Sequence, residues 1–92
     1  MNSKPAIDEV WRRIEAHEGE LFSTKLGLPL KYEMKGSALE TSRAKQKIEI
    51  SEFGKALELV PIESPAHISS LVRGPSYIWA ILHDKRIRQA DW

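Results

Sequence analysis

Cations at alternate positions are the feature of this sequence best suited to binding chemistry. Arg43, Lys45 and Lys47 lie in a polar stretch, residues 42–47, that separates two short apolar segments. In an extended stretch the three side chains point to the same side and form a cationic strip that follows a phosphate backbone. The alternative is a solvated loop with ordinary surface lysines.

A second group of cations surrounds the most apolar stretch of the chain, residues 77–82. Gly74 and Pro75 separate this stretch from residues 66–72, whose apolar spacing predicts a two-turn helix. Two short helices with a tight turn between them are the arrangement of a helix-turn-helix hairpin, whose second helix faces base edges. The predicted contacts are Ser76, Ala80 and His83 for the bases, and Arg73, Lys85, Arg86 and Arg88 for the phosphates. The alternative is a hairpin that only completes the core, because the apolar register fits the motif poorly.

Two aromatic residues of the same stretch support a different function. On a helix over residues 77–82, Trp79 lies at the boundary between the two sides, and a half-exposed tryptophan is a good anchor for a partner. Together with Tyr77 it defines the alternative hypothesis, an adaptor or homodimerising module that binds another protein or a second copy of itself. Core packing is the competing use of both rings.

Residues 15–20 gather three carboxylates and His17 near the end of a predicted helix, which is the composition of an acid–base site. A small hydrolytic or metal-dependent enzyme that uses His17 is therefore the third hypothesis. However, the three histidines lack metal-ligand spacing, cysteine is absent, and no nucleophile or phosphate-loop motif occurs. The sequence predicts a non-enzymatic binding domain without a metal or a cofactor.

An α+β fold is expected to position these residues. Residues 5–18 carry an apolar stripe at i, i+3, i+4 and i+7, which predicts an N-terminal helix. Apolar alternation over residues 30–35, 38–41 and 48–50, with the short β-prone segment 21–24, predicts an antiparallel sheet of three or four strands.

Two or three C-terminal helices are expected to pack on one face of that sheet. Ser51 is the predicted N-cap of the first, and Pro61 ends it. For residues 77–82, Pro75 at the first helical position favours a helix, and a strand is the alternative because short apolar runs do not define their own period.

Length and composition define the class of protein. The 92 residues predict one small domain over 1–92, with flexible ends at 1–4 and 89–92. A net charge of +1 is too small to indicate nucleic acid by itself. The chain has no cysteine, no secretory apolar segment and no apolar run that spans a membrane, so a cytoplasmic location without membrane contact is expected.

The leading hypothesis from the sequence is a domain that contacts nucleic acid through the 42–47 stretch and the C-terminal cations. A continuous positive face that joins residues 42–47 to Arg73, Arg86 and Arg88 would favour it. Scattered cations with an exposed apolar patch around Trp79 would favour a protein partner.

Overall fold

The computed structural model describes residues 5–92, and the predicted α+β class is confirmed. The predicted flexible segment 1–4 lies outside the described residues. In chain order the elements are α1 (Ile7–Ala16), β1 (Phe22–Ser23), β2 (Pro29–Leu30), β3 (Tyr32–Lys35), β4 (Ala38–Thr41), β5 (Lys47–Glu49), α2 (Ile50–Leu57), a 3-10 helix (Pro65–Ile68), α3 (Pro75–Leu82) and α4 (Lys85–Arg88). No helix among residues 5–92 combines the length and the apolar character that a membrane crossing requires.

The N-terminal helix α1 forms where the apolar stripe predicts it and is two residues shorter at each end. Its stripe, Val10, Trp11 and Ile14, is buried, while Asp8 and Glu9 stand in the first turn, where they favour the helix dipole. The Trp11 ring meets the Phe53 ring of α2 edge to face, with 5.5 Å between ring centroids. This contact joins the N-terminal helix to the C-terminal half of the chain.

The strands form two small antiparallel sheets instead of the single sheet that was predicted: β1 pairs with β2, and β3, β4 and β5 form a three-stranded meander. The predicted strand 30–35 is interrupted at Lys31, because the chain changes partner there. The Lys31 N–H donates to Ser42 Oγ at 2.9 Å, and the Lys31 carbonyl accepts from the Ser42 N–H at 2.8 Å. Apolar alternation continues across this change, so it carries no signal of the break.

The outer edge of β3 is covered by the segment that follows α1. The Met34 N–H donates to Glu18 Oε2 at 2.7 Å, and the Gly19 N–H donates to the Tyr32 carbonyl at 3.1 Å. These bonds satisfy main-chain groups that an edge strand otherwise presents to other chains.

Helix α2 begins directly after β5, two residues earlier than predicted, and the assignment of Ser51 as its N-cap is wrong. Glu49 occupies the N-cap position, with no side-chain capping bond, and Ile50 is the first helical residue. The Ile50 N–H donates to the Ser37 carbonyl at 2.7 Å, so the turn before β4 supplies the partner that a capping side chain would provide. The helix ends at Leu57, three residues before the predicted end.

The predicted two-turn helix over residues 66–72 is wrong, because the segment holds only a single turn of 3-10 helix at Pro65–Ile68. The Ser69 hydroxyl donates to the Ala66 carbonyl at 3.0 Å and so competes with main-chain donors there. Without a first α-helix, a helix-turn-helix hairpin does not form. The helix predicted for residues 77–82 is confirmed as part of α3.

Gly74 precedes α3 and packs against Ile48 of β5, and a larger residue at this position would strain the backbone. Its φ is +63°, and a Cβ added there would lie 2.8 Å from Cδ1 of Ile48, which is fully buried. Gly36 has a similar φ of +65°, but nothing lies within 4 Å of its added Cβ. Substitution of each glycine therefore distinguishes the cost of a left-handed backbone, present at both, from the cost of close packing, present only at Gly74.

We expect Gly36→Ala to lower the free energy of unfolding by about 1 kcal/mol, because only the left-handed backbone is penalised. Gly74→Ala adds the collision with Ile48, and we expect a loss of roughly 2–4 kcal/mol. Urea unfolding followed by circular dichroism measures both. Equal losses in the two variants would contradict the close approach of Gly74 to β5.

Candidate functional site

The polar stretch 42–47 turns back on itself and is not extended. Ala44 and Lys45 have φ values of +59° and +46°, both left-handed. Thr41 holds the turn, because its hydroxyl donates to the Arg43 carbonyl at 2.6 Å and accepts from the Gln46 N–H at 3.1 Å. Because residues 42–47 are not extended, Arg43, Lys45 and Lys47 do not form a cationic strip on one side of the chain.

The turn sends Arg43 and Lys45 to two different grooves. Arg43 lines a groove of about 420 Å³ between the β1–β2 turn, the start of the 3-10 helix and the first turn of α3. We call this the hairpin groove; its walls include Leu26, Leu28, Pro65 and Tyr77, with Lys25 and Arg43 beside them. Lys45 lines a separate groove of about 370 Å³ together with Lys31, Glu33 and Glu40.

Lys47 lies among carboxylates on the solvent side of the three-stranded sheet. Its Cα is paired with that of Glu40, whose other neighbour across the sheet is Glu33. The exposed face of the sheet carries two lysines, Lys35 and Lys47, against three carboxylates, Glu33, Glu40 and Glu49. Its net charge of −1 does not attract a phosphate backbone.

Arg86 supports the fold, because its guanidinium donates four hydrogen bonds to groups of the same chain. Nε and one terminal nitrogen donate to the two Asp84 carboxylate oxygens at 2.8 and 2.9 Å, and the other terminal nitrogen donates to Glu20 at 3.0 Å. A fourth bond reaches the Leu21 carbonyl at 2.8 Å, and the guanidinium lies 3.9 Å from the centre of the Phe22 ring. The Asp84 carboxylate raises the pKa of Arg86, and Arg86 in turn lowers the pKa of Asp84.

Arg88 and Arg13 hold the C-terminal residues against the domain. Arg88 Nε donates to the main-chain oxygen of Trp92, whose indole N–H donates to the Leu82 carbonyl at 3.0 Å. Arg13 donates to the Ile87 carbonyl at 2.9 Å and pairs with Asp91 at 2.6 Å. Two of the C-terminal cations, Arg86 and Arg88, are thus engaged in contacts within the chain.

His83 and Trp79 bind both main-chain polar groups of Ile62. The Ile62 N–H donates to His83 Nε2 at 2.9 Å, and the Trp79 indole N–H donates to the Ile62 carbonyl at 2.8 Å. The two rings stack with 5.2 Å between their centroids. We call this arrangement the Ile62 clamp, and it assigns both predicted site residues to the support of the fold.

The geometry of the Ile62 clamp requires a neutral His83. Nε2 faces an N–H and must accept, while Nδ1 lies 3.3 Å from the Trp79 carbonyl and must donate. Burial lowers the pKa of His83, and the charge of Arg88 acts in the same direction, although the bond to the Trp79 carbonyl opposes the shift.

The other predicted contacts are divided between the surface and the core. Arg73 has an exposed side chain, and its N–H donates to Glu52 Oε1 at 2.9 Å, which lowers the pKa of that carboxyl. Ser76 is exposed and lines the hairpin groove with Tyr77. Ala80 was predicted on an exposed face, and this is wrong, because it is only 4% exposed and belongs to the core. Helix α3 is covered on that side by the connector that carries Ile62.

The hairpin groove thus brings together Arg43, Ser76 and Tyr77 among the residues predicted from the sequence. It also contains Lys25, Leu26 and Leu28, which the sequence interpretation did not select. Their signal was present: two leucines stand within a short polar and glycine-containing turn, where apolar side chains have no core to enter.

Comparison with protein-family models, with curated proteins and with solved structures finds no match to this chain. Among residues 5–92, no three His, Asp or Glu side chains are grouped in a way that could hold a metal ion. His17 lies 3.0 Å from Glu20, which Arg86 also binds.

We expect Arg86→Lys to lower the free energy of unfolding by about 1–2 kcal/mol, because lysine cannot form the paired bonds to Asp84 or lie flat on Phe22. Arg12→Lys is the matched control: Arg12 is exposed on α1, and its replacement should change stability by less than about 0.5 kcal/mol. Chemical unfolding of both variants provides the comparison. If the two behave alike, Arg86 does not support the fold.

The stability of the protein should fall in mild acid because of His83. Its folded-state pKa lies below the ordinary value of 6.5, so its contribution is complete above about pH 6.5 and is lost as the pH falls toward the folded pKa. For this single group the slope has an upper limit of about 1.4 kcal/mol per pH unit. His83→Gln should remove this slope, whereas His67→Gln, at an exposed histidine, should retain it. If the free energy of unfolding of the wild-type chain stays constant across this pH range, a neutral His83 does not stabilise the Ile62 clamp.

Proposed function

We propose that this chain is a non-enzymatic protein-interaction module and that the hairpin groove is its docking surface. The observation that carries the proposal is a pair of exposed leucines beside a groove. Leu26 is 87% exposed and Leu28 is 42% exposed, and both line the same concave surface as Tyr77. Apolar side chains around an open groove are typical of surfaces that bind partners.

The distribution of charge supports a protein partner over a nucleic acid. Arg86 and Arg88 make contacts within the fold, Lys47 lies beside Glu40, and Arg43 and Lys45 line different grooves. Tyr32, an aromatic residue of the sheet, is buried at 1% exposure and offers no face for base stacking. In the hairpin groove a nucleic acid would meet Lys25 and Arg43 as the charged lining residues, too few contacts for strong backbone recognition there.

Tyr77 is the better test of partner binding among the two aromatic residues that the sequence proposed. It lines the hairpin groove and is half-buried against the core. Trp79 belongs to the Ile62 clamp, so its removal would alter the fold as well as any interface. A loss of binding in Trp79→Ala would not distinguish these two effects.

The proposal is tested with random short peptides displayed on phage and selected on the wild-type chain. The selected peptides are then synthesised, and their affinity is measured by fluorescence anisotropy. We expect Leu26→Asp to weaken binding by at least roughly 10-fold, because a charge replaces apolar contact area at the centre of the interface. Leu59→Asp is the matched control, since Leu59 is 48% exposed and lies outside the hairpin groove.

Three results would decide between partners. Peptides that bind Leu26→Asp as well as wild type would overturn the proposal. So would a labelled single-stranded oligonucleotide that binds with steep salt dependence when no peptide is selected. A concentration-dependent dimer that Leu26→Asp abolishes would support protein interaction and identify a second copy of the chain as the occupant.

A further inference from the structure

We infer that the occupant of the hairpin groove is an acidic segment of a partner protein, with an apolar side chain against Leu26, Leu28 and Tyr77 and an Asp or Glu carboxylate on Arg43. This inference rests on the proposed function, because it assigns the chemistry of the partner that the same groove binds. Its basis is the charge of the groove and the lack of internal partners for that charge.

Arg43 differs from the arginines that support the fold. Arg13 and Arg86 each pair with carboxylates, at 2.6 and 2.8 Å. In the described part of the chain, the Arg43 guanidinium has neither a hydrogen-bond nor an ion-pair partner, although the residue is half-buried in the groove lining. A guanidinium presents donors in a flat fork that fits a carboxylate. Arg43 therefore offers an unused carboxylate site beside the exposed leucines.

Lys25 supplies a second positive charge at a fixed position. Its Nζ donates to the Glu63 carbonyl at 3.3 Å and lies 5.2 Å from the centre of the Trp79 ring. Both contacts orient the ammonium without neutralising it, and an ammonium has three N–H donors. Two donors thus remain for an anionic partner.

The described lining of the groove contains no negative side chain to balance these cations. Among the described residues that line it, Lys25 and Arg43 are charged and the others are apolar or carry hydroxyls. Helix α3 also begins at the groove, and its first turn has no acidic residue against the positive end of the helix dipole. An occupant with carboxylates therefore gains favourable interactions on this surface, and one with cations meets repulsion.

The leucines argue against a phosphate chain as the occupant. A bound oligonucleotide could pair its phosphates with Arg43 and Lys25 but would leave Leu26 in water or against a charged backbone. A peptide can place an apolar side chain and a carboxylate within neighbouring residues, so it matches both parts of the groove. The Ser64 and Ser76 hydroxyls, which also line it, can bond the main chain of such a peptide.

The test compares a selected peptide with an analogue in which each Asp and Glu is replaced by Asn or Gln. We expect acidic residues to be enriched beside the apolar anchor and the neutral analogue to bind the wild-type chain roughly 10-fold more weakly, with weaker salt dependence. Arg43→Gln should weaken the acidic peptide to a similar extent and leave the neutral analogue almost unchanged, so the two changes are not additive. Arg12→Gln, which removes the same charge outside the groove, should bind as wild type.

Arg43→Lys keeps the positive charge but removes the forked guanidinium, so we expect an intermediate affinity for the acidic peptide. Chemical unfolding verifies that each variant is folded. Selected peptides that lack acidic residues, or that bind Arg43→Gln and wild type equally while losing affinity to Leu26→Asp, would overturn this inference and leave the protein-interaction function in place. A groove-dependent dimer would do the same. If no peptide depends on Leu26, both the function and the inference fail.

Discussion

The hairpin groove depends on the two hydrogen bonds that join Trp79 and His83 to the main chain of Ile62. Residues 58–64 have no regular structure, so their buried polar groups need partners from elsewhere. His83 and Trp79 supply them, and an unsatisfied buried group would cost about 1–3 kcal/mol. From this anchored point the chain presents the Glu63 carbonyl to Lys25 and continues into the Pro65 wall of the groove. The clamp therefore positions one wall and one cation at the same time.

The net charge of this chain does not show which arginines are free to bind a partner. Arg13 and Arg86 join α4 to α1 and to the segment before β1, and their guanidinium groups bind carboxylates and carbonyls within the chain. Arg43 has the same chemistry and no such partners in the described chain. What separates them is tertiary position. The Arg13 guanidinium lies at the end of α4, where carbonyl groups are exposed, and that of Arg86 lies beside the segment before β1, whereas Arg43 lies at the start of the left-handed turn and lines a groove.

Periodicity in the sequence was enough to place α1, because that helix buries one apolar stripe. Helix α3 was placed by Pro75 at its first position, since its apolar run does not define its own period. Periodicity could not locate the change of partner at Lys31, since the pattern of alternation is the same on both sides. The left-handed turn at Ala44 and Lys45 was also hidden, because neither residue is a glycine or an asparagine. The sequence could not show that Arg43 and Lys45 line different grooves, because the turn was hidden, or that Lys25 meets Arg43, because the two come together only through the tertiary fold.

The covered edge of β3 has a consequence for how this protein can associate. Glu18 and Gly19 occupy main-chain groups on that edge, and the described strands have at most four residues each. An incoming chain therefore finds little free ladder along β3 on which to extend the sheet. The proposed recognition through the hairpin groove relies on side chains, whose shape and charge distinguish one partner from another, and not on backbone pairing along β3, which any extended peptide could imitate.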